Sequence, residues 1–380
     1  MYVGDLAGEQ GTRLVNADAP AVYTSDHVLF IRQGTLFAQP FDSASLELRG
    51  SPITVAEQLL IDGVSSLAAL SASPSDAIAY RSGPPGERQL TWFDRSGREI
   101  GKVGDSDRTV PSLSMSADGR RLCVSRGVNG NPDIWMLDLT RGVFSRLTFD
   151  PATEPAAVWS PDGNRVAFNS NRTGVYDLYV KSVTDTAPES LLLATPQNKA
   201  PLDWSPDGRF LLFRSPGKTT GFDLWALPMD GDGKPFPVVQ TDFEERDGQF
   251  SPDGRWVAYQ SNESGRVEIY VQPFSGGHRE LISAGGGAQV RWRHDGKELF
   301  YIALDGRLMA VPIRLNPGSI EAGVPVPLFT THVGGAVQGG NLQQYVVAPD
   351  GQRFLMSAIT DVRTPAVTVI LNWKPTVKER

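Results

Sequence analysis

A single cysteine, Cys123, stands in the whole chain, so no disulfide can form within it. It lies in the apolar run Arg121-Leu122-Cys123-Val124, where a buried strand thiol is the expected role. No stretch approaches the roughly 18 uninterrupted apolar residues of a spanning helix, so this chain is not expected to insert in a membrane. Residues Met1 to Asp5 have neither a basic region nor an apolar core, so no secretory signal is visible. They read as the middle of a repeat, with the chain starting inside a larger architecture. Basic residues are outnumbered, 36 against 43 acidic ones, for a net charge of −7. That balance argues against a nucleic-acid partner, which needs a strong basic footprint. Histidines number four (His27, His278, His294 and His332), and no two have metal-ligand spacing. This leaves only a metal site assembled across a channel, as the minor reading, and no cofactor or metal is expected.

Catalytic signatures are missing in the same way. There is no Gly-x-Ser-x-Gly elbow, no glycine-rich phosphate loop, no His-Arg-Asp loop and no Asp-Phe-Gly. Gly217-Lys218-Thr219 resembles the tail of a phosphate loop, but the first glycine would fall at Leu212. Asp230-Gly231-Asp232-Gly233 hints at a calcium loop, yet Thr241 occupies the twelfth position, where a bidentate Glu is needed. No catalytic residue is assigned.

What the chain has in plenty is turn chemistry, with 39 Gly and 28 Pro spread between short apolar runs. One phrase returns: Trp159-Ser160-Pro161-Asp162-Gly163, Trp204-Ser205-Pro206-Asp207-Gly208 and Phe250-Ser251-Pro252-Asp253-Gly254. Looser copies surround Asp118, Asp295 and Asp350. Measured on the Asp, successive copies lie 44, 45, 46, 42 and 55 residues apart. A period of this length, built of strands and turns, is the mark of a β-propeller.

One copy, residues 155–195, reads as four strands. Ala157-Val158-Trp159 is the innermost, Arg165 to Phe168 alternates at period 2, and Asp177 to Val180 and Ser190 to Leu193 follow. An acidic residue opens the third strand repeatedly, as Asp133, Asp177, Asp223 and Glu268, and its expected role is to hold a neighbouring turn. The Trp and Phe before each Ser are expected to fill the wedge between blades. Degraded copies near Tyr23 and Ser73 bring the count to eight. The expected fold is all-β: one closed propeller over residues 1–380 with eight four-stranded blades, or seven if the first is an appendage. The blades fall at about 20–57, 65–105, 110–150, 155–195, 200–240, 246–285, 288–330 and 342–376. N-terminal strands at 2–15 are expected to close the ring with the last copy, since unpaired edges invite aggregation. The long interval before Asp350 carries a Gly-rich insertion, Thr331 to Gly340, expected to be mobile.

The recurring Ser-Pro-Asp-Gly followed by Asp-Leu/Ile-Tyr/Trp resembles the TolB-like β-propeller repeats, relatives of the WD-repeat class, over nearly the whole chain. Four phrases, Thr35 to Asp42, Gln89 to Gly97, Ser261 to Arg266 and Val369 to Trp373, look like the propeller that follows a bacterial Ser/Thr protein kinase. The resemblance implies a sensor-like, extracytoplasmic, non-catalytic module whose kinase domain is absent from these residues.

With no catalytic constellation, a binding surface is the remaining expectation. Loops entering the innermost strands converge at a channel mouth and carry Asp107, Arg108, Glu154, Asn198, Lys199, Glu244, Glu245, Arg246 and His332. Asp203, Asp247 and Arg291 are expected to line the channel itself. A protein or peptide segment, or a small polar ligand, is the partner such a mouth would take. The competing reading is a channel-centred lyase or glycan hydrolase using carboxylates among Asp203, Asp247 and Glu154.

Overall fold

The repeated phrase folds as a hydrogen-bonded turn. The Ser205 hydroxyl donates to the Asp207 carboxylate at 2.6 Å and accepts the Phe210 N–H at 2.8 Å. The Gly208 N–H returns to the Ser205 carbonyl, and Gly208 holds φ at +76°, a value that glycine alone adopts freely. Ser116, Ser160 and Ser251 repeat the arrangement. Each turn ends an innermost strand and launches the next one, which fixes the register of the hairpin.

The computed structural model describes residues 2–373 except 4–11, 16, 18, 25, 33, 58, 60–67, 74–75, 83–86, 108–111, 129–130, 218–220, 232, 317, 338–342 and 361–366. All regular elements among the described residues are strands. They gather in two compact units, Glu87–Thr360, and Met1–Gly86 together with Asp361–Arg380.

The larger unit holds six antiparallel sheets of four or five strands. In the first, Arg88–Asp94 and Glu99–Asp107 join Tyr345–Val347 and Arg353–Ile359 from the far end of the unit. The other five follow the chain, their innermost strands being Leu113–Met115, Ala157–Trp159, Ala200–Trp204, Glu245–Phe250 and Ala288–Trp292. These strands lie side by side in that order, next to Tyr345–Val347, which also touches Leu113–Met115. The apolar side chains form six clusters, each shared by two neighbouring sheets. Trp159, Trp204, Phe250 and Trp292 are all buried in them, as wedge-fillers. Cys123 is buried beside Ile134 and Trp159, and burial pushes its thiol pKa upward.

The acidic residue opening each third strand is structural. Asp133 pairs with Arg146 at 2.8 Å, Asp223 accepts from Gln240 at 2.9 Å, and Glu268 accepts from Arg266, Ser283 and the Gly286 N–H. Asp177 takes the Lys199 ammonium at 2.9 Å.

In the smaller unit, Val22–Thr24, His27–Arg32 and Thr35–Asp42 form a sheet that Glu47–Leu48 and Ile53–Ala56 complete. A second sheet places Ile78–Arg81 between Leu70–Ala72 and Val367–Ile370. Leu29, Ile31, Leu36, Ile78 and Trp373 share its core.

Two expected blades straddle different sheets. The copy at 65–105 divides after Arg81: its first strands pair with Val367–Ile370, its last with Arg353–Ile359. The copy at 342–376 divides correspondingly. Reading along the chain pairs neighbours, whereas these pairings match apolar faces across more than 250 residues, as Phe93 opposite Phe354 illustrates. At the N-terminus, Tyr2–Val3 pairs with Thr12–Arg13 in a sheet of two strands. Over Thr331–Val337 the expected insertion mixes buried and exposed residues. Val333 and Ala336 are buried, and their carbonyls accept from Gln344, Arg88 and Gln289. Residues 338–340 of that insertion lie outside the described residues.

Candidate functional site

The innermost strands of all six sheets in the larger unit border one cavity of about 150 Å³. One register position recurs in its wall on every sheet. Counting back four residues from each repeat Asp gives Ser114, Val158, Asp203, Gln249, Arg291 and Val346, and all six line the cavity. The next residue is aromatic in four copies, and Trp159, Trp204, Phe250 and Trp292 pack in the apolar clusters between sheets, with Trp159 and Trp292 also bordering the cavity. Each repeat therefore places one variable residue at a shared cavity on an otherwise constant frame.

Bulges sharpen this arrangement. The strands at Ala200–Trp204, Glu245–Phe250 and Ala288–Trp292 each carry one extra residue relative to their partners. Asp247 and Gln289 sit in two of these bulges with φ of +52° and +58°. Non-glycine residues held there cost on the order of 1–3 kcal/mol each, and bulges recur beside sites where a side chain must be re-aimed.

The polar wall is wired from sheet to sheet. Asp203 accepts the Phe250 N–H at 2.8 Å, and Gln249 accepts the Trp292 N–H at 2.7 Å. Gln343 donates to Asp247 at 3.2 Å. Arg291 is 9% exposed and borders the cavity, and its guanidinium donates to the Val290 carbonyl at 2.7 Å and lies 5.9 Å from the Tyr345 ring. Burial pushes the Asp203 carboxyl up to about 7, against the pull of the Phe250 and Trp204 N–H groups and of Arg291. Burial also raises Asp247, opposed by Arg291, Arg214 and Arg246. It lowers Arg214 to about 10, with Arg246 adding repulsion.

Of the expected channel residues, Asp203 and Arg291 border the cavity, while Asp247 is not in its lining and is held by Gln343, which is. Most of the expected mouth residues do not join them. Glu154 is fully buried against Arg172 at 2.7 Å, its carboxyl pushed up to about 7 by burial. Lys199 is equally buried, held by Asp177 and the Thr195 hydroxyl and carbonyl. Glu245 accepts from Thr241 and Ser261. Asp107 pairs with Arg126 at 3.0 Å, and Glu244 pairs with Arg246. His332 is exposed, and Arg108 lies outside the described residues. Residue type alone missed Ser112, Ser114, Gln249 and Gln343 on the wall and Arg214 nearby. The register rule would have found Ser114 and Gln249. No group of three or more His, Cys, Asp or Glu side chains among the described residues could hold a metal ion.

The Asp203 shift gives a pH prediction. A carboxyl whose folded pKa exceeds its unfolded value of roughly 4 stabilises the fold below that value, and the contribution is lost as pH rises through about 7. Asp203→Asn keeps an acceptor for Phe250 but cannot ionise. Its Tm relative to the parent is expected to climb between pH 4.5 and 7.5, and a constant difference across that window would refute the assignment.

Residues 57–233 match the family model described as TolB beta propeller domain. An uncharacterized protein of Agrobacterium fabrum, Atu1656, is 26% identical over 202 residues, covering 50% of this chain and 68% of the relative. The Tol-Pal system protein TolB of Helicobacter pylori is 25% identical over 161 residues, 41% of this chain and 38% of that protein. A solved TolB structure from Agrobacterium tumefaciens superposes with a TM-score of 0.55 at 19% identity, over 73% of this chain and 99% of the other. The last likeness speaks to fold, and the family match to the repeats within residues 57–233: over these the chain is similar to TolB-like β-propellers, and its fold is all-β and propeller-like.

Proposed function

We propose that the unit Glu87–Thr360 is a closed six-bladed propeller acting as a non-catalytic binding or scaffold module, with its ligand-facing region at the central cavity. The observation that carries this reading is the register position at which one residue from every sheet borders the same cavity. Six apolar wedges, one between each pair of neighbouring sheets, support closure. The partner is a protein or peptide segment or a small polar molecule, and the compartment is extracytoplasmic, in line with the TolB likeness.

The test uses the chain's own chemistry. Cys123 is buried, so Ser114→Cys supplies a single reactive thiol on the cavity wall. A bulky maleimide adduct there is expected to abolish capture of the native partner from a host extract, while the same adduct on exposed Thr184→Cys leaves capture intact. Equal capture by both labelled proteins would remove the cavity from the account.

A finer reading makes the propeller the sensor half of a kinase-linked receptor. It draws on the phrases at 35–42, 89–97, 261–266 and 369–373, and a coding segment for a kinase and a membrane span ahead of Met1 would decide it. The competing channel-centred enzyme has one observation in its favour, the raised carboxyls of Asp203 and Asp247 beside Arg291. Glu154 is engaged elsewhere, so the three carboxylates do not act as a set. Unchanged turnover of glycan or uronate substrates in the Asp203→Asn and Asp247→Asn double variant would end that reading.

A further inference from the structure

Within the wall of the cavity, Arg291 departs from its neighbours. At the same register position Asp203 and Gln249 each spend an oxygen on the N–H of the next sheet's aromatic residue. An arginine has no acceptor and cannot make that link. Its one hydrogen bond among the described residues runs from Nη1 to the Val290 carbonyl, and no carboxylate stands within ion-pair distance. The rest of the fork is left to the cavity that the side chain borders. An arginine nine-tenths buried with most of its donors unspent is costly unless something accepts from it.

The neighbouring groups define what that something is. Gln249 has its oxygen occupied by Trp292, so its amide nitrogen is a donor at the wall. Gln343 has its nitrogen occupied by Asp247, and its oxygen is buried with no partner. That oxygen needs a donor. Arg214, which acts on Asp247, is buried with Nε and Nη1 unpartnered and adds positive charge. Facing titratable groups are Asp203 on the fourth sheet, Asp247 with Arg246 on the fifth, and on the first Tyr345, whose phenol burial keeps neutral.

We propose that the cavity is a carboxylate-binding site in which the Arg291 fork takes the ligand's two oxygens and Gln343 accepts an N–H or O–H next to them. A carboxylate carrying a nearby donor describes two sources: the C-terminal residue of a peptide, and a free amino or hydroxy acid. The inference rests on the cavity being the ligand-facing region, and it names the chemistry recognised there. At 150 Å³ the space would otherwise hold about five waters, enough for a carboxylate on a short stem. The two Asp carboxyls oppose an anion when ionised, so binding strengthens as pH falls below about 7.

The experiment is calorimetric titration of the full chain at pH 6 with N-acetylglycine, and with N-acetylglycinamide, which has the same shape without the charge. The acid is expected to bind and to raise Tm, and the amide to do neither. Arg291→Gln should weaken the acid about tenfold or more, and Arg291→Lys, which keeps charge without the planar fork, should also lose affinity. A pentapeptide with a free C-terminus against its amidated form, set beside glycine and lactate, separates the two sources. Should the acid fail to bind up to about 10 mM, bind no better than its amide, or bind Arg291→Gln unchanged, the proposal falls. The Tm readout needs only the native chain, so a variant that fails to fold leaves the question answerable. If the Ser114 adduct blocks partner capture while no acid binds, this inference alone is lost.

Discussion

Replacing Asp177 by alanine is expected to destabilise the unit Glu87–Thr360 by about 3–5 kcal/mol, because it strands the Lys199 ammonium in the interior. Both side chains are essentially inaccessible, at 1% and 2% exposure, so water cannot take over as partner. The converse change, Lys199→Met, should cost much less. Asp177 retains the Thr173 hydroxyl at 2.6 Å and the Thr195 N–H at 3.3 Å, and the methionine stem fills a similar volume. Chemical denaturation of the two variants checks the asymmetry, and equal losses would mean the pair is not acting as a buried ion pair. The same carboxylate has an acid signature. Burial pushes its pKa up, but Thr173 and Lys199 more than offset this and hold it below the usual range. A depressed folded pKa means stability present above the unfolded value of about 4 and lost as pH falls through the folded one. Asp177→Ala should therefore show a shallower acid-side decline than the parent, having lost this residue's share of it.

The second large effect is expected at the joint where the chain's start and end of the unit share a sheet. Phe354 is fully buried, faces Phe93 across the two strands, and packs edge-on against Phe300 with ring centroids 5.1 Å apart. Phe329 stands 6.0 Å away on its other side. Phe354→Ala removes a buried ring from a cluster built by both the first and sixth sheets, a loss of about 3–5 kcal/mol. Val369→Ala, at an exposed strand position, should stay within about 0.5 kcal/mol. Urea denaturation followed by tryptophan fluorescence compares them. A small loss at Phe354 would mean that the joint contributes little to the unit.

The repeat made the fold legible because turn chemistry is local. Ser205, Asp207 and Gly208 satisfy one another within five residues, so their spacing alone announces the hairpin. The acidic residue of each third strand was equally readable, since four recurrences point to the frame. The joint was not readable, because Phe93 and Phe354 find each other only after everything between them has folded. Lys199, Glu154 and Glu245 show the reverse limit. A charged residue in a polar loop is usually solvated, and nothing near them in sequence reveals Asp177, Arg172 or Thr241 as partners. Asp203 and Arg291 were found because they sit on one strand register, and Gln343 was missed because it precedes its strand.

The carbonyl of Glu87 accepts both the N–H and the hydroxyl of Thr360, at 2.8 and 3.0 Å, so the larger unit begins and ends at one spot. Such a clasp makes it an insert in the sense of gene architecture: a self-contained piece interrupting the smaller unit between Ile78–Arg81 and Val367–Ile370. On the ribosome the earlier of those strands emerges long before its partner. The strand that completes the insert, Arg353–Ile359, emerges just ahead of the one that seals the host, Val367–Ile370. A chain truncated just past Thr360 would thus display a finished insert on an unsealed host.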